Sequence, residues 1–288
     1  MTAETPIQFD ERPRTLADGF CFTECPRWRD GWLYFSDMYG RTVYRIDEGG
    51  TLETVVRVES RPGGLGWLPN GDMLIAGMDE GRVLRLSNGE LHVHADLTSV
   101  APTGINDMVV DAHGRAYVAK FLHQSPPPEE PIIVVEPDGR WYESEHRFRV
   151  ANGMILTADG QQLVVAESAG MRLTRVDLDA DGVPSNGTLF AQLDSGQYPD
   201  GICGDDRGGA WVTTARGPGV FRVEPGKGAT HFIPYDDDRF SYACALGGAD
   251  GQTLFICTAG PYTPATMHQQ SSAAIEVLKV PFKRSGTP

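Results

Sequence analysis

Apolar and polar positions alternate in short runs along the whole chain, and a glycine or proline cuts nearly every run before it reaches helical length. No window sustains the 3.6-residue stripe of an amphipathic helix, so strands joined by turns are predicted throughout. One order recurs six times: a short polar or tiny residue, an apolar stretch, a turn holding glycine, then a β-rich stretch. The clearest copies begin at Asn106 (turn glycine Gly114), Asn152 (Gly160), Asp200 (Gly208) and Gly63 (Gly71). Looser copies begin at Glu24 (Gly31) and Cys244 (Gly251). The distance from leading residue to turn glycine is eight positions in four copies and seven in two. The leading residues 24, 63, 106, 152, 200 and 244 lie 39, 43, 46, 48 and 44 apart, a mean of 44.

A β-rich repeat of roughly 40–50 residues has the size of one four-stranded propeller blade. The pattern therefore predicts an all-β fold: a six-bladed β-propeller with four-stranded antiparallel blades, forming one domain over residues 1–288. A long β-sandwich is the alternative architecture. Closure is expected to pair an N-terminal strand with the last blade around Ile275 to Val280. The proline-rich stretch from Ser125 to Pro131 is read as a loop inside blade three. Thirty-four glycines and 20 prolines, spread evenly, supply the turns such a fold needs.

Charge and cysteine usage narrow the function class. A formal net charge of −14 argues against nucleic acid or an anionic membrane as partner, because both are bound through basic patches. No run approaches the ~18 apolar residues of a membrane span. The first six residues show neither a positive cluster nor an apolar stretch, so no secretory leader is expected. Five cysteines without Cys-x-x-Cys spacing predict neither a disulfide framework nor structural zinc, and a cytoplasmic location is expected. The expected partner is a small-molecule substrate.

In a propeller the innermost strands line a central channel, and equivalent positions face one another across it. The leading positions then form a ring of Glu24, Gly63, Asn106, Asn152, Asp200 and Cys244. Carboxylates at one level of a narrow channel repel unless one protonates or a cation lies between them. Asp, Glu and Asn oxygens are ligands of hard divalent cations, so one divalent metal ion is predicted: Ca²⁺ first, with Zn²⁺, Mn²⁺ or Mg²⁺ as alternatives. Turn chemistry alone would account for Asn106 or Asn152, but not for Glu24 ahead of Pro26.

These residues carry a resemblance to a known family. The motifs are Glu24-Cys25-Pro26-Arg27-Trp28 with Tyr34-Phe35-Ser36-Asp37, then Asn106-Asp107, and Asn152-Gly153-Met154 with Ala158-Asp159-Gly160. Pro199-Asp200-Gly201 and Cys244-Ala245-Leu246-Gly247-Gly248 follow in order. The sequence resembles the regucalcin/gluconolactonase/luciferin-regenerating-enzyme family of six-bladed propellers over nearly its whole length. The resemblance implies Glu24, Asn152 and Asp200 as ligands of a catalytic divalent metal and Asn106 as the channel asparagine beside it. Two positions depart from the family pattern. Cys25 stands where Gly is usual, and Gly104 stands where members acting on sugar lactones carry Arg.

The function expected is metal-dependent hydrolysis of a lactone or related cyclic ester in the central channel. Asp200 or the metal would activate water, and Asn106 would hold substrate or water. Met38, Tyr39, Met78, Phe121, His123, Met154 and Tyr198 are the candidate substrate-binding rim. Their apolar character, with Gly104 offering no cation, leads to the expectation that apolar lactones are preferred over sugar-acid lactones. Two other readings fit the same ring: a non-catalytic calcium- or ligand-binding propeller, and another metal-dependent enzyme such as a phosphotriesterase or lyase. Three further motifs are set aside. Asp177, Asp179 and Asp181 read as an acidic hairpin turn, and His92 and His94 as structural residues of an outer strand. Ala166–Gly170 lacks the following helix of a nucleophile elbow.

Overall fold

The computed structural model of the chain describes residues 5–121, 125–236 and 238–287. Its strands form six sheets whose innermost strands contact one another in a closed circle, a six-bladed β-propeller. The inner strands are Thr23–Arg29, Pro62–Trp67, Ile105–Val110, Ala151–Leu156, Pro199–Gly204 and Phe240–Gly247, for blades one to six. Three further strands follow outward in each of blades one to five, antiparallel throughout. The sole helical element among the described residues is the 3₁₀ turn Met267–Gln269, and no helix is long and apolar enough to cross a membrane.

The repeat seen in the sequence corresponds to one hairpin per blade. All six turn glycines, from Gly31 to Gly251, have φ between +69° and +92°, the left-handed region that a side chain disfavours. Six apolar clusters hold the fold, each filling the wedge between two neighbouring blades. Between blades three and four, for example, Val109, Tyr117, Met154 and Val165 are all fully buried. Each sheet thus covers its neighbour's apolar face, which is why no single blade is a folding unit.

Closure follows the expected route. Arg14–Phe20 is the outermost strand of blade six and pairs antiparallel with Ala273–Lys279, from Arg14 opposite Val277 to Phe20 opposite Ala273. Two features were not anticipated. Ile7–Gln8 adds a fifth, parallel strand to the outer edge of blade five. The tail then crosses the turn side of blades six, five and four, with Arg284 N bonded to Gly251 O, Ser285 N to Gly204 O and Thr287 N to Leu156 O. The Ser125–Pro131 stretch is only partly a loop: Glu129, Glu130 and Pro131 open the strand Glu129–Val135 of blade three.

Candidate active site in the central channel

Every inner strand breaks its pairing with the next strand at the same level. The irregularity falls between Glu24 and Arg27, Pro62 and Leu65, Ile105 and Met108, Ala151 and Met154, Pro199 and Ile202, and Ser241 and Ala243. A bulge re-aims side chains and bends the strand. Here six bulges place Glu24, Gly63, Asn106, Asn152 and Asp200 at equivalent positions, as the repeat predicted.

The sixth position is a correction. The bulge of blade six makes Tyr242, not Cys244, the counterpart of Asp200. Two bonds between neighbouring blades fix this register. Ser36 Oγ donates to Gly63 O at 2.7 Å, and Thr213 Oγ donates to Tyr242 O, also at 2.7 Å. Cys244 lies in the wedge between blades five and six, its sulfur 3.6 Å from that of Cys203. The inner strand of blade six has eight residues against six in blades two to five, so counting back from Gly251 stops short of the bulge.

Glu24 and Asp200 are 7% and 8% exposed. Burial pushes the Glu24 carboxyl well above the usual range, the nearby Asp200 charge adds to this, and a 3.0 Å bond from Cys25 N opposes it. Burial and the Asp107 charge push the Asp200 carboxyl up to about 7, against a hydrogen bond from Asn152. Burial, with the Asp200 and Glu24 charges, raises the Tyr242 phenol, whose hydroxyl donates to Gly260 O at 2.9 Å. Asp107, one step beyond Asn106, is neutralised by Arg27 at 2.6 Å. Among the described residues, Glu24 and Asp200 therefore remain as two buried carboxyl groups without an ion pair, both pushed toward their protonated forms.

The carboxamides are oriented by a chain of bonds. Ser168 Oγ gives its proton to Pro199 O at 2.7 Å and so accepts from Asn152 Nδ2 at 3.2 Å. Asn152 Oδ1 is thereby turned toward Asn106, whose Nδ2 donates to it at 3.2 Å. Ser168, part of the Ala166–Gly170 motif set aside above, thus sets the Asn152 amide. Among the described residues no three His, Cys, Asp or Glu side chains converge as a metal cage. The donor set is mixed: two carboxyl groups, which a cation would hold ionised, plus carboxamide oxygen. That chemistry fits a hard divalent cation.

The rim residues divide. Met38, Tyr39, Met78 and Phe121 join Phe22, Tyr242, Tyr262 and Met267 in one cluster between blades six and one that reaches the mouth. Tyr198 is 41% exposed on the loop entering blade five. Met154 is a correction: it is fully buried in the wedge between blades three and four, because it follows the bulge and alternates away from the channel. His123 lies outside the described residues.

Gly104 also takes a different meaning. Its φ is +104°, and a Cβ there would lie 2.0 Å from Met78 O. No side chain fits without moving the backbone. The mouth does carry a cation from elsewhere in the chain: the Arg61 guanidinium lies over the Tyr39 and Phe121 rings. Nothing in the repeat pointed to Arg61, which precedes the ring position by two residues.

Residues 22–260 match the model of the SMP-30/Gluconolactonase/LRE-like region. Regucalcin of Xenopus laevis is 26% identical over 258 residues, covering 85% of either chain. The pentonolactonase XacC of Haloferax volcanii is 27% identical over 232 residues, 79% of this chain and 77% of that one. Among solved structures, a calcium-binding protein, regucalcin, from Agrobacterium tumefaciens superposes with a TM-score of 0.79 at 19% identity, covering 99% of this chain and 98% of that one.

Proposed function

The chain belongs to the SMP-30/gluconolactonase/LRE-like family, and from that premise we propose that it hydrolyses a lactone or related cyclic ester in its central channel, using a divalent cation. The observation that carries this reading is the pair of buried, mutually repelling carboxylates Glu24 and Asp200 beside oriented carboxamides. Pentonolactonase and lactonase relatives support the reaction class.

Glu24, Asn152 and Asp200 would hold the cation, with Ca²⁺ the first choice for an all-oxygen set. When bound, it supplies Lewis acidity that polarises the ester carbonyl. Asp200 accepts the proton of the attacking water, a role suited to a carboxylate raised toward neutrality. Asn106 holds the water or the substrate carbonyl through its amide, pinned from behind by Asn152. Phe22, whose ring lies 4.6 Å from that of Tyr242, and Tyr262 wall the channel with apolar surface and limit the entry of bulk water. The expected preference for apolar lactones rested on Gly104 and an apolar rim; Met154 is not part of that rim, and Arg61 adds a cation to it.

The test is a lactone panel run on metal-replete and chelated protein, with products analysed in ¹⁸O-labelled water. Expected are turnover lost on chelation and restored by Ca²⁺, and one label atom in the hydroxy-acid carboxylate. Metal-dependent stabilisation with no lactone turned over would mean a binding propeller, and product without label would mean elimination.

A further inference from the structure

Arg61 sits at the mouth in a setting built around its side chain. Its guanidinium carbon lies 5.1 Å from the centre of the Tyr39 ring and 5.5 Å from that of Phe121, and the side chain is 17% exposed. Asp79 takes one edge of the fork: Nε donates to Oδ1 at 2.7 Å, and NH2 lies 2.7 Å from the same oxygen. Asp79 Oδ2 accepts the Arg61 backbone N–H at 3.1 Å, and NH1 donates to the Tyr39 hydroxyl at 3.1 Å. Tyr39 is itself fixed by a 2.8 Å bond to the Tyr262 hydroxyl.

A guanidinium carries five N–H donors. Among the described residues these contacts engage three, and the Tyr262 hydroxyl takes a further bond from Arg61, which leaves one donor on a fork whose plane is already set. A fixed guanidinium with a donor to spare offers a carboxylate oxygen one charge-assisted hydrogen bond. Local charge agrees. Arg41 is close enough to hold the Asp79 carboxyl down, and Arg216 faces Tyr242. Two guanidinium groups, Arg61 and Arg41, therefore face one carboxylate, Asp79, on a chain whose net charge is −14. Deeper in the channel Glu24 and Asp200 already balance the charge of the cation they would hold, so an anionic substituent has its favourable place at the mouth.

We infer, resting on the reading of the channel as an ester-hydrolysing site, that Arg61 sets specificity by binding a carboxylate that the substrate carries outside its cyclic ester. The substrate class is then a carboxylate-bearing lactone.

The experiment compares a γ-lactone carrying a carboxylate with its methyl ester, on wild type, Arg61→Met and Arg61→Lys, each checked for wild-type melting behaviour. In wild type kcat/KM for ring opening is expected to favour the carboxylate at least tenfold. Arg61→Met should bring that ratio below two, with Arg61→Lys in between. A clamp that only shapes the mouth would lower both rates together and leave the ratio intact, which overturns the inference; so does a wild-type ratio near one. If neither compound is turned over, the hydrolytic reading fails separately. Calorimetric binding of the carboxylate compound must then still weaken at least tenfold in Arg61→Met, and equal affinity overturns the inference.

Discussion

The Arg27 guanidinium donates to the Asp107 carboxylate at 2.6 Å just beyond the channel ring, joining blade one to blade three. Arg27 also bonds Leu65 O at 3.1 Å and Met108 O at 2.7 Å, so one side chain reaches three inner strands. The pair is almost fully buried and cancels the charge of Asp107, which leaves Glu24 and Asp200 as the uncompensated carboxylates of the channel. Arg27→Met should destabilise the fold by about 3–5 kcal/mol, because a buried carboxylate loses its partner. Adding Asp107→Asn should recover part of that loss. Denaturant unfolding of the single and double variants checks both outcomes.

Cation binding should be visible in stability before any activity is known. A ligand that binds only the folded state at 100 times its Kd adds about 2.7 kcal/mol. Ca²⁺ should therefore raise the melting temperature of wild type by several degrees and leave Glu24→Ala and Asp200→Ala where chelated protein melts. Elemental analysis showing unchanged metal content in both variants would dismiss Glu24 and Asp200 as ligands.

The metal-free protein should respond to acid in a set direction. Asp200 titrates near 7 when folded and near 3.8 when unfolded, so as pH rises the unfolded chain releases its proton first. The contribution of Asp200 to metal-free stability is therefore full below about pH 4, falls through the interval up to about 7 and stays low above it. Relative to Asp200→Asn, chelated wild type should gain on the order of a few kcal/mol on going from pH 8 to pH 5. A pH-independent difference between the two in thermal melts would contradict the buried, raised carboxyl.

Ser168→Ala removes the acceptor that orients the Asn152 amide without opening the core. Loss of a partner that aims a metal ligand commonly costs about 10–100-fold in metal affinity. Calcium titration followed by calorimetry should show at least a tenfold weaker Kd, with unfolding in chelator near that of wild type. Affinity equal to wild type would mean that the amide is held without Ser168.

Gly104→Ala should lose about 1–3 kcal/mol, the usual cost of a side chain forced into an unfavourable backbone conformation. The collision with Met78 O adds to that strain, and Gly104→Arg should be no more stable. Urea midpoints of both variants decide the point. A neutral Gly104→Ala would show that the Met78–Gly104 approach relaxes at no cost.

Much of the molecule was legible in the order of residues. The count of blades, the left-handed turn glycines and the pairing of Arg14–Phe20 with the last blade all follow from local pattern, because a glycine turn and a run of alternating residues act over a few positions. Glu24, Asn106, Asn152 and Asp200 were found for the same reason: each leads a repeat at nearly constant distance from its turn. What failed was whatever depended on a shift within a strand. One extra residue at a bulge exchanges the two faces, and the longer hairpin of blade six concealed Tyr242 behind Cys244. Met154, two positions past Asn152, turned into a wedge for the same reason. Arg27 with Asp107, Ser168 with Asn152, and Arg61 with Asp79 and Tyr39 were set only by tertiary structure. Their partners lie between 16 and 80 positions apart in the chain: strand pairing within a blade joins Ser168 to Asn152 and Arg61 to Asp79, and packing of blade on blade joins Arg27 to Asp107 and Arg61 to Tyr39.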